Sequence, residues 1–205
     1  PAPALPDRVL PHQLAHAPDL VRTLRHEAAL DEPVPGGGSD EAIDYGLWWH
    51  ETMEFVPWLA EVEVIERHGR EAVASAVLRG LGRRAEEEWN RLQSSGVWTE
   101  LRAARWTRQT EIGILAPLRT GAWIDGVIDL VLHDPVRREI WVVDWKTNRR
   151  RAGEDNAELL ARLVAEYAPQ LRAYGTCLAA LFPDCAVRRL VYSTVAGDWS
   201  EVTEA

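Results

Sequence analysis

The stretch WIDGVIDLVLHDPVRREIWVVDWKTNRRR, Trp123 to Arg151, holds two apolar runs separated by HDPVRR, and each run carries an aspartate where a buried strand should carry none. Asp134-Pro135 starts a turn, because an aspartate side chain bonds its own downstream main chain and proline presets φ. The flanking runs are rich in Ile, Val and Trp, residues that suit a pleated, half-buried surface. The stretch therefore reads as a β-hairpin. Antiparallel pairing about a centre between Val136 and Arg137 sets His133 opposite Ile140, Val131 opposite Val142 and Asp129 opposite Asp144. Directly opposed residues have Cβ atoms about 5 Å apart, so this register brings two carboxylates together.

Strand alternation adds a third group. Side chains two residues apart point the same way, so Ile140, Val142, Asp144 and Lys146 share the face that carries Asp129, with Trp141, Val143 and Trp145 on the other. Two carboxylates that close repel unless a proton or a cation lies between them. Hard oxygen ligands of this kind suit Mg2+ or Mn2+ better than zinc. The lysine is singular: of 23 basic residues, Lys146 is the one lysine, against 22 arginines. An ammonium is a compact point charge, whereas guanidinium is a broad planar fork. A bare D-x-K is most often an ion pair at a strand end. A second aspartate in register and a lone lysine in an arginine-using chain point instead to chemistry. A divalent ion flanked by an ammonium suits attack on a phosphodiester, the metal polarising a phosphoryl oxygen and acidifying a water, the ammonium stabilising developing charge.

The rest of the chain frames the hairpin. Residues 1–30 carry helix-like apolar spacings, and DEPVPGGGSD at 31–40 is the most linker-like stretch. Ser39 or Asp40 can cap a helix EAIDYGLWWHETMEFV that stops before Pro57. Residues 57–95 read as helical, with breaks at Gly69 and at Gly80–Gly82. QTEIGILAPL is a strand before the hairpin, DNAELLARLVAEYAPQLRAYGTCLAALF is a helix interrupted near Pro169, and AVRRLVYSTV is a last strand followed by a tail. Helices, then a hairpin, then helix and strand make a mixed α/β domain with a small sheet and an N-terminal helical portion.

Composition sets limits. The 205 residues are 46% hydrophobic and 27% charged, the make-up of a soluble globular chain. The longest apolar runs fall far short of the ~20 residues a membrane span needs, and the N-terminus has no signal-peptide pattern, so a cytoplasmic protein is expected. The chain starts at Pro1 and reads as a domain cut from something longer. Cys177 and Cys185 are too few for a disulfide framework or a four-cysteine cluster and are expected to be reduced thiols. Ten tryptophans supply buried area and candidate stacking surfaces. The net charge of −9 disfavours a duplex-clamping DNA binder, yet Arg137, Arg138, Lys146, Arg149, Arg150 and Arg151 crowd one region while acids gather elsewhere, as in EEE at 86–88.

Three motifs in order resemble those of the RecB-like nucleases of the PD-(D/E)xK superfamily, which often lie at the C-terminus of UvrD-type helicases such as the AddA and RecB subunits. GVID (126–129) is similar to G-x-I-D, DWKT (144–147) to D-[WY]-K-T, and YAPQLRAY (167–174) to Y-x-x-Q-L-x-x-Y. GLWWHETME, Gly46 to Glu54, resembles the upstream G-x-x-x-H-x-x-x-E of the family. By itself His50 would be an ordinary helix histidine; the resemblance makes it a metal ligand. It implies a restriction-endonuclease-like α/β core in which His50, Asp129 and Asp144 bind Mg2+ (or Mn2+), with the Trp145 carbonyl and Glu111 as further ligands. Lys146 would be the catalytic lysine, beside Asp129 and Asp144, and Gln170 and Tyr174 would line the site. Tyr167 and the block Arg149, Arg150 and Arg151 would meet DNA, although such a run is more often a solvated face.

The resemblance divides the chain into a helical lead-in and linker, 1–38, and a nuclease domain, 39–205. It implies a deoxyribonuclease acting as an exonuclease on single strands in recombination and double-strand-break repair. Its partners would be a UvrD-type helicase in cis and a second helicase–nuclease subunit. Two features depart from the family: Pro169 inside the Tyr–Gln motif means a helix starts or kinks there, and two cysteines exclude the iron–sulfur version. The alternatives are an inactive nucleic-acid-binding or helicase-docking module on the same fold, and a metal hydrolase with another substrate.

Overall fold

A computed structural model describes Arg8–Val9, residues 39–117 and residues 123–203. In chain order its elements are β1 (Arg8–Val9), α1 (Ser39–Glu54), α2 (Val62–Leu78), α3 (Gly82–Gln93), α4 (Gly96–Leu101), β2 (Thr107–Pro117), β3 (Trp123–Asp134), β4 (Glu139–Lys146), α5 (Asn156–Leu181), β5 (Ala186–Ser193) and β6 (Asp198–Glu201). The strands form one mixed sheet in the order β1-β3-β4-β5-β6, with β2 on the other edge of β3.

The hairpin has the expected register: Val131 pairs with Val142 and His133 with Ile140. Its turn is built as the sequence implies. Asp134 Oδ1 accepts from the main-chain N–H groups of Val136 and Arg137, both at 3.0 Å, and Arg138 takes a left-handed φ of 56° to re-enter the ladder. The β3–β4 ladder ends at Leu130–Val143. β2 pairs with β3 along one edge from His133 to Trp123, while the other edge meets β1 at Trp123–Ile124. Asp129 thus sits where β4 lets go of β3. Strand β5 runs parallel to β4 along its whole length, Glu139–Ala186 through Lys146–Ser193.

Two cores flank the sheet. On one face Leu130, Leu132, Trp141, Val143, Trp145, Leu190 and Tyr192 pack against helices α1–α4; on the other Val131, Ile140, Val142 and Val191 pack against α5. Alternation along β4 and β5 produces this split. Trp48, Trp49, Trp58, Trp89, Trp98, Trp106, Trp141 and Trp145 all lie in the first core, so among the described tryptophans the stacking-surface expectation gives way to packing. Trp49 stacks on Tyr192 at 6.5 Å, and Trp145 meets the same ring edge-on at 5.3 Å.

The structure corrects the sequence reading in several places. Helix α2 runs through Gly69, and a Cβ there would lie 2.2 Å from Trp89 Nε1. The glycine is a close-approach position that lets α2 and α3 meet, not a break. The break at Gly80 does occur, with φ 78°. Pro169 lies inside one 26-residue helix, α5. The helix neither starts nor ends there, because its burial against the sheet offsets one lost N–H. Its start is instead a capping box, Asp155 with Glu158. The tail after β5 forms a further strand, β6, turned by Gly197 at φ 70°. The helices expected over 1–30 lie outside the described residues, except that Arg8–Val9 form a strand parallel to β3; the edge of β3 beyond the reach of β4 offers them a ladder. The linker at 31–38 also lies outside the described residues. Cys177 and Cys185 are both free thiols.

Gly→Ala in an ordinary helix interior gains roughly 0.5–1 kcal/mol. Gly69→Ala should instead lose about 1–3 kcal/mol by overpacking against Trp89, measured as a lowered denaturation midpoint; an unchanged or raised midpoint would show that Trp89 gives way freely.

Candidate metal centre and active site

Three carboxylates stand in a row across three adjacent strands. Thr110 pairs with Leu130 and Ile112 with Ile128, which leaves Glu111 opposite Asp129. One step beyond the Leu130–Val143 pair, Asp129 faces Asp144, and its Oδ2 accepts from the Trp145 N–H at 2.6 Å. Glu111 is a non-glycine residue at φ 50° inside a strand. Such a conformation costs on the order of 1–3 kcal/mol and persists only where the surroundings impose it. At the same position β3 changes the core it serves: Ile124 and Ile128 join the α5 side, while Leu130 and Leu132 join the other.

Helix α1 brings the fourth group. Trp48, Trp49 and Met53 are buried and fix its rotation, so that His50 looks onto the row. His50 Nδ1 lies 3.5 Å from Asp129 Oδ1 and 3.8 Å from Glu111 Oε1. The candidate ligand atoms of His50, Glu111 and Asp129 all lie within 4.8 Å of one another, a set that could hold one ion. Asp144 stands outside that trio and meets Lys146 instead, its Oδ2 3.0 Å from Nζ. The Trp145 carbonyl belongs to the main chain between them.

The electrostatics follow from burial. Burial disfavours a charge on His50, but Asp129, aided by Glu111, outweighs it and carries the imidazole up to about 10. His50 is thus an imidazolium between two carboxylates, doing the work a metal cation would do. Burial likewise opposes ionisation of Asp129, yet His50, Lys146 and the Trp145 N–H together hold it below its usual range. For Asp144 burial wins: with Asp129 adding to it and Lys146 opposing, its carboxyl rises to about 6. Burial would lower Lys146, but Asp144 reverses this and keeps the ammonium protonated. A metal bound through His50 must displace that proton.

The donor set fits a hard divalent cation. Carboxylate oxygens outnumber nitrogens, and Asp144 Oδ2 is buried with the Lys146 ammonium 3.0 Å away. Hard oxygen donors grouped in this way suit a divalent cation.

Helix α5 covers the lysine. The Tyr167 ring lies under Lys146 Nζ at 3.8 Å, a cation–π contact that steers the ammonium. Asn148, which the sequence reading passed over, donates to Tyr167 Oη at 3.5 Å; its only sequence signal is its place just after DWKT. Gln170 and Tyr174 are both buried, and Gln170 Nε2 donates to Tyr174 Oη at 3.2 Å. Two side chains of the arginine block are engaged within the protein: Arg149 pairs with Glu41 at 2.8 Å, and Arg150 bonds Asn156 Oδ1 and the Glu154 carbonyl, while Arg151 is exposed.

Comparison with known proteins agrees with this geometry. The model of the PD-(D/E)XK nuclease superfamily matches residues 23–200, and the chain belongs to that superfamily. Asp144-Trp145-Lys146 fits the (D/E)-X-K in that family's name. The chain shows no significant similarity to a curated protein. Among the described residues no helix is long and apolar enough to cross a membrane.

A ligand that binds only the folded state at a hundred times its Kd adds about 2.7 kcal/mol. Saturating Mg2+ or Mn2+ should therefore raise the melting temperature by several degrees. Asp129→Asn, which keeps the shape and removes the charge, should abolish the rise. Equal shifts in both proteins would place the ion elsewhere.

Proposed function

We propose that the chain is a metal-dependent deoxyribonuclease, an exonuclease that hydrolyses single strands delivered by a linked UvrD-type helicase in recombination and double-strand-break repair. The observation that carries the reading is the row Glu111–Asp129–Asp144, with His50 at one end and Lys146 at the other. The superfamily is one of nucleases; the helicase link and the repair role rest on the resemblance of GVID, DWKT and YAPQLRAY to the RecB-like motifs. A net charge of −9 favours a strand fed to the site over a duplex clamped by the domain alone.

In this reading His50, Asp129 and Asp144 hold Mg2+ or Mn2+, with Glu111 and the Trp145 carbonyl as further donors. When bound, the ion supplies Lewis-acid polarisation of the scissile phosphoryl group and acidifies a water. Lys146 stays protonated through Asp144 and so acts by charge, stabilising the negative oxygens of the pentacovalent transition state. Tyr167 and the Gln170–Tyr174 pair fix the wall of the site that faces the lysine. Arg149 guides the strand. Its exposed pair with Glu41 is worth about 0–1 kcal/mol, little enough for a phosphate to replace the carboxylate.

The chain should degrade single-stranded DNA from an end in Mg2+ or Mn2+ and stop in a chelator. Lys146→Ala should lower the rate at least about a hundredfold with an unchanged circular-dichroism spectrum. A folded, metal-loaded protein that cuts no DNA would overturn the reading and favour an inactive module.

A further inference from the structure

Helix α3 presents Arg84, Glu88 and Arg91 at spacings of four and three, on one face. That face abuts the ends of the parallel strands β4 and β5, of which β4 carries Asp144 and Lys146. Arg84 Nη2 donates to the Thr147 carbonyl, the residue after Lys146. Arg91 Nη1 donates to the Thr194 carbonyl at 3.0 Å, and the Thr194 N–H donates to the Lys146 carbonyl at 3.0 Å. The main chain around Lys146 is thus pinned from both sides. Arg84 is itself held: its Nε donates to Glu88 Oε1 at 2.9 Å, and its guanidinium lies 3.7 Å over the Tyr45 ring. Tyr45 Oη donates to Glu88 Oε2 at 2.7 Å. Tyr45 is fully buried and sits on α1, five residues before His50.

One buried network therefore joins the helix that carries His50 to the strand end that carries Lys146. A buried ion pair is a weak source of stability, since desolvation offsets most of the attraction. Its place here suits another role. His50 comes from helix α1 and Lys146 from the end of strand β4, with Asp129 beside the one and Asp144 beside the other.

We propose that Arg84, Glu88 and Tyr45 are positioning residues, a brace that sets His50 and Lys146 relative to one another across the carboxylate row. The effect on catalysis rests on the nuclease reading; the effect on the main chain does not. Three proteins test it beside the unaltered chain: Arg84→Met; the triple variant Tyr45→Phe/Arg84→Met/Glu88→Leu; and Arg83→Ala, whose side chain on the same helix is 93% exposed. Replacing all partners by apolar groups of similar shape leaves no buried charge alone and costs little stability. The triple variant should therefore melt near the unaltered chain, even where Arg84→Met alone fails to fold.

Amide exchange at Thr194 and over Lys146–Asn148 should nonetheless rise about tenfold or more in both Arg84 variants, the loss expected of a charge-assisted hydrogen bond. On single-stranded DNA, kcat should fall about 10- to 100-fold with KM within about twofold, the signature of misplaced groups. Arg83→Ala should change neither. A stable triple variant with unaltered exchange, or with raised exchange and unaltered kcat, overturns the proposal. If the unaltered chain cuts no DNA, the nuclease reading falls, and the exchange measurement alone decides the brace.

Discussion

Carboxylates placed side by side repel one another, the more so where two of them, Asp129 and Asp144, are buried, and the neighbourhood of this sheet is arranged around that repulsion. Glu111, Asp129 and Asp144 occupy matching positions on β2, β3 and β4. Nothing in a stable sheet calls for such a row. It is held by cations brought from outside the row: the imidazolium of His50 against Glu111 and Asp129, and the ammonium of Lys146 against Asp144. The raised His50 and Lys146 and the raised Asp144 are three expressions of one imbalance, more negative charge than the buried site can neutralise. A divalent cation held by these carboxylates would relieve it.

The sheet makes the row affordable by opening at that point. The β3–β4 ladder stops at Leu130–Val143, and Glu111 adopts a left-handed φ opposite Asp129. Beyond the ladder the Asp129 carboxylate accepts the Trp145 N–H, and His50 of α1 lies 3.5 Å from its other oxygen. The rest of the fold supplies rigidity. A core of tryptophans locks α1–α4 to one face of the sheet, and α5 seals the other. The strand ends that carry the site are then tied to α3 by arginine-to-carbonyl bonds.

Much of this was legible in the sequence because the hairpin obeys local rules. Asp134-Pro135 fixes the turn, the turn fixes the register, and the register with strand alternation puts Asp129, Asp144 and Lys146 together. Membership of the nuclease superfamily was legible too, since its motifs are short and ordered. His50 and Glu111 were reachable only through family resemblance, because the packing that rotates α1 and the distortion of β2 are tertiary effects with no local signal. Gly69 was misread because a helix glycine has two meanings, break or close approach, and only the partner Trp89 tells them apart. Pro169 was misread for the reverse reason: one missing N–H is a small loss in a helix of 26 residues buried along one side. The brace was invisible because Glu88 ends an acidic run that looks solvated, while Tyr45 and Thr147 lie far from it in sequence.

The central claim is that the carboxylate row is a metal site. A crystal structure of the chain grown with Mn2+ and measured at a wavelength where manganese scatters anomalously tests it most directly. The expected result is an anomalous peak in contact with the Asp129 and Asp144 carboxylates, with the His50 imidazole nitrogen bonded to it and no longer paired with Glu111. An empty row with His50 still between Glu111 and Asp129, or a peak bound elsewhere on the surface, would contradict it.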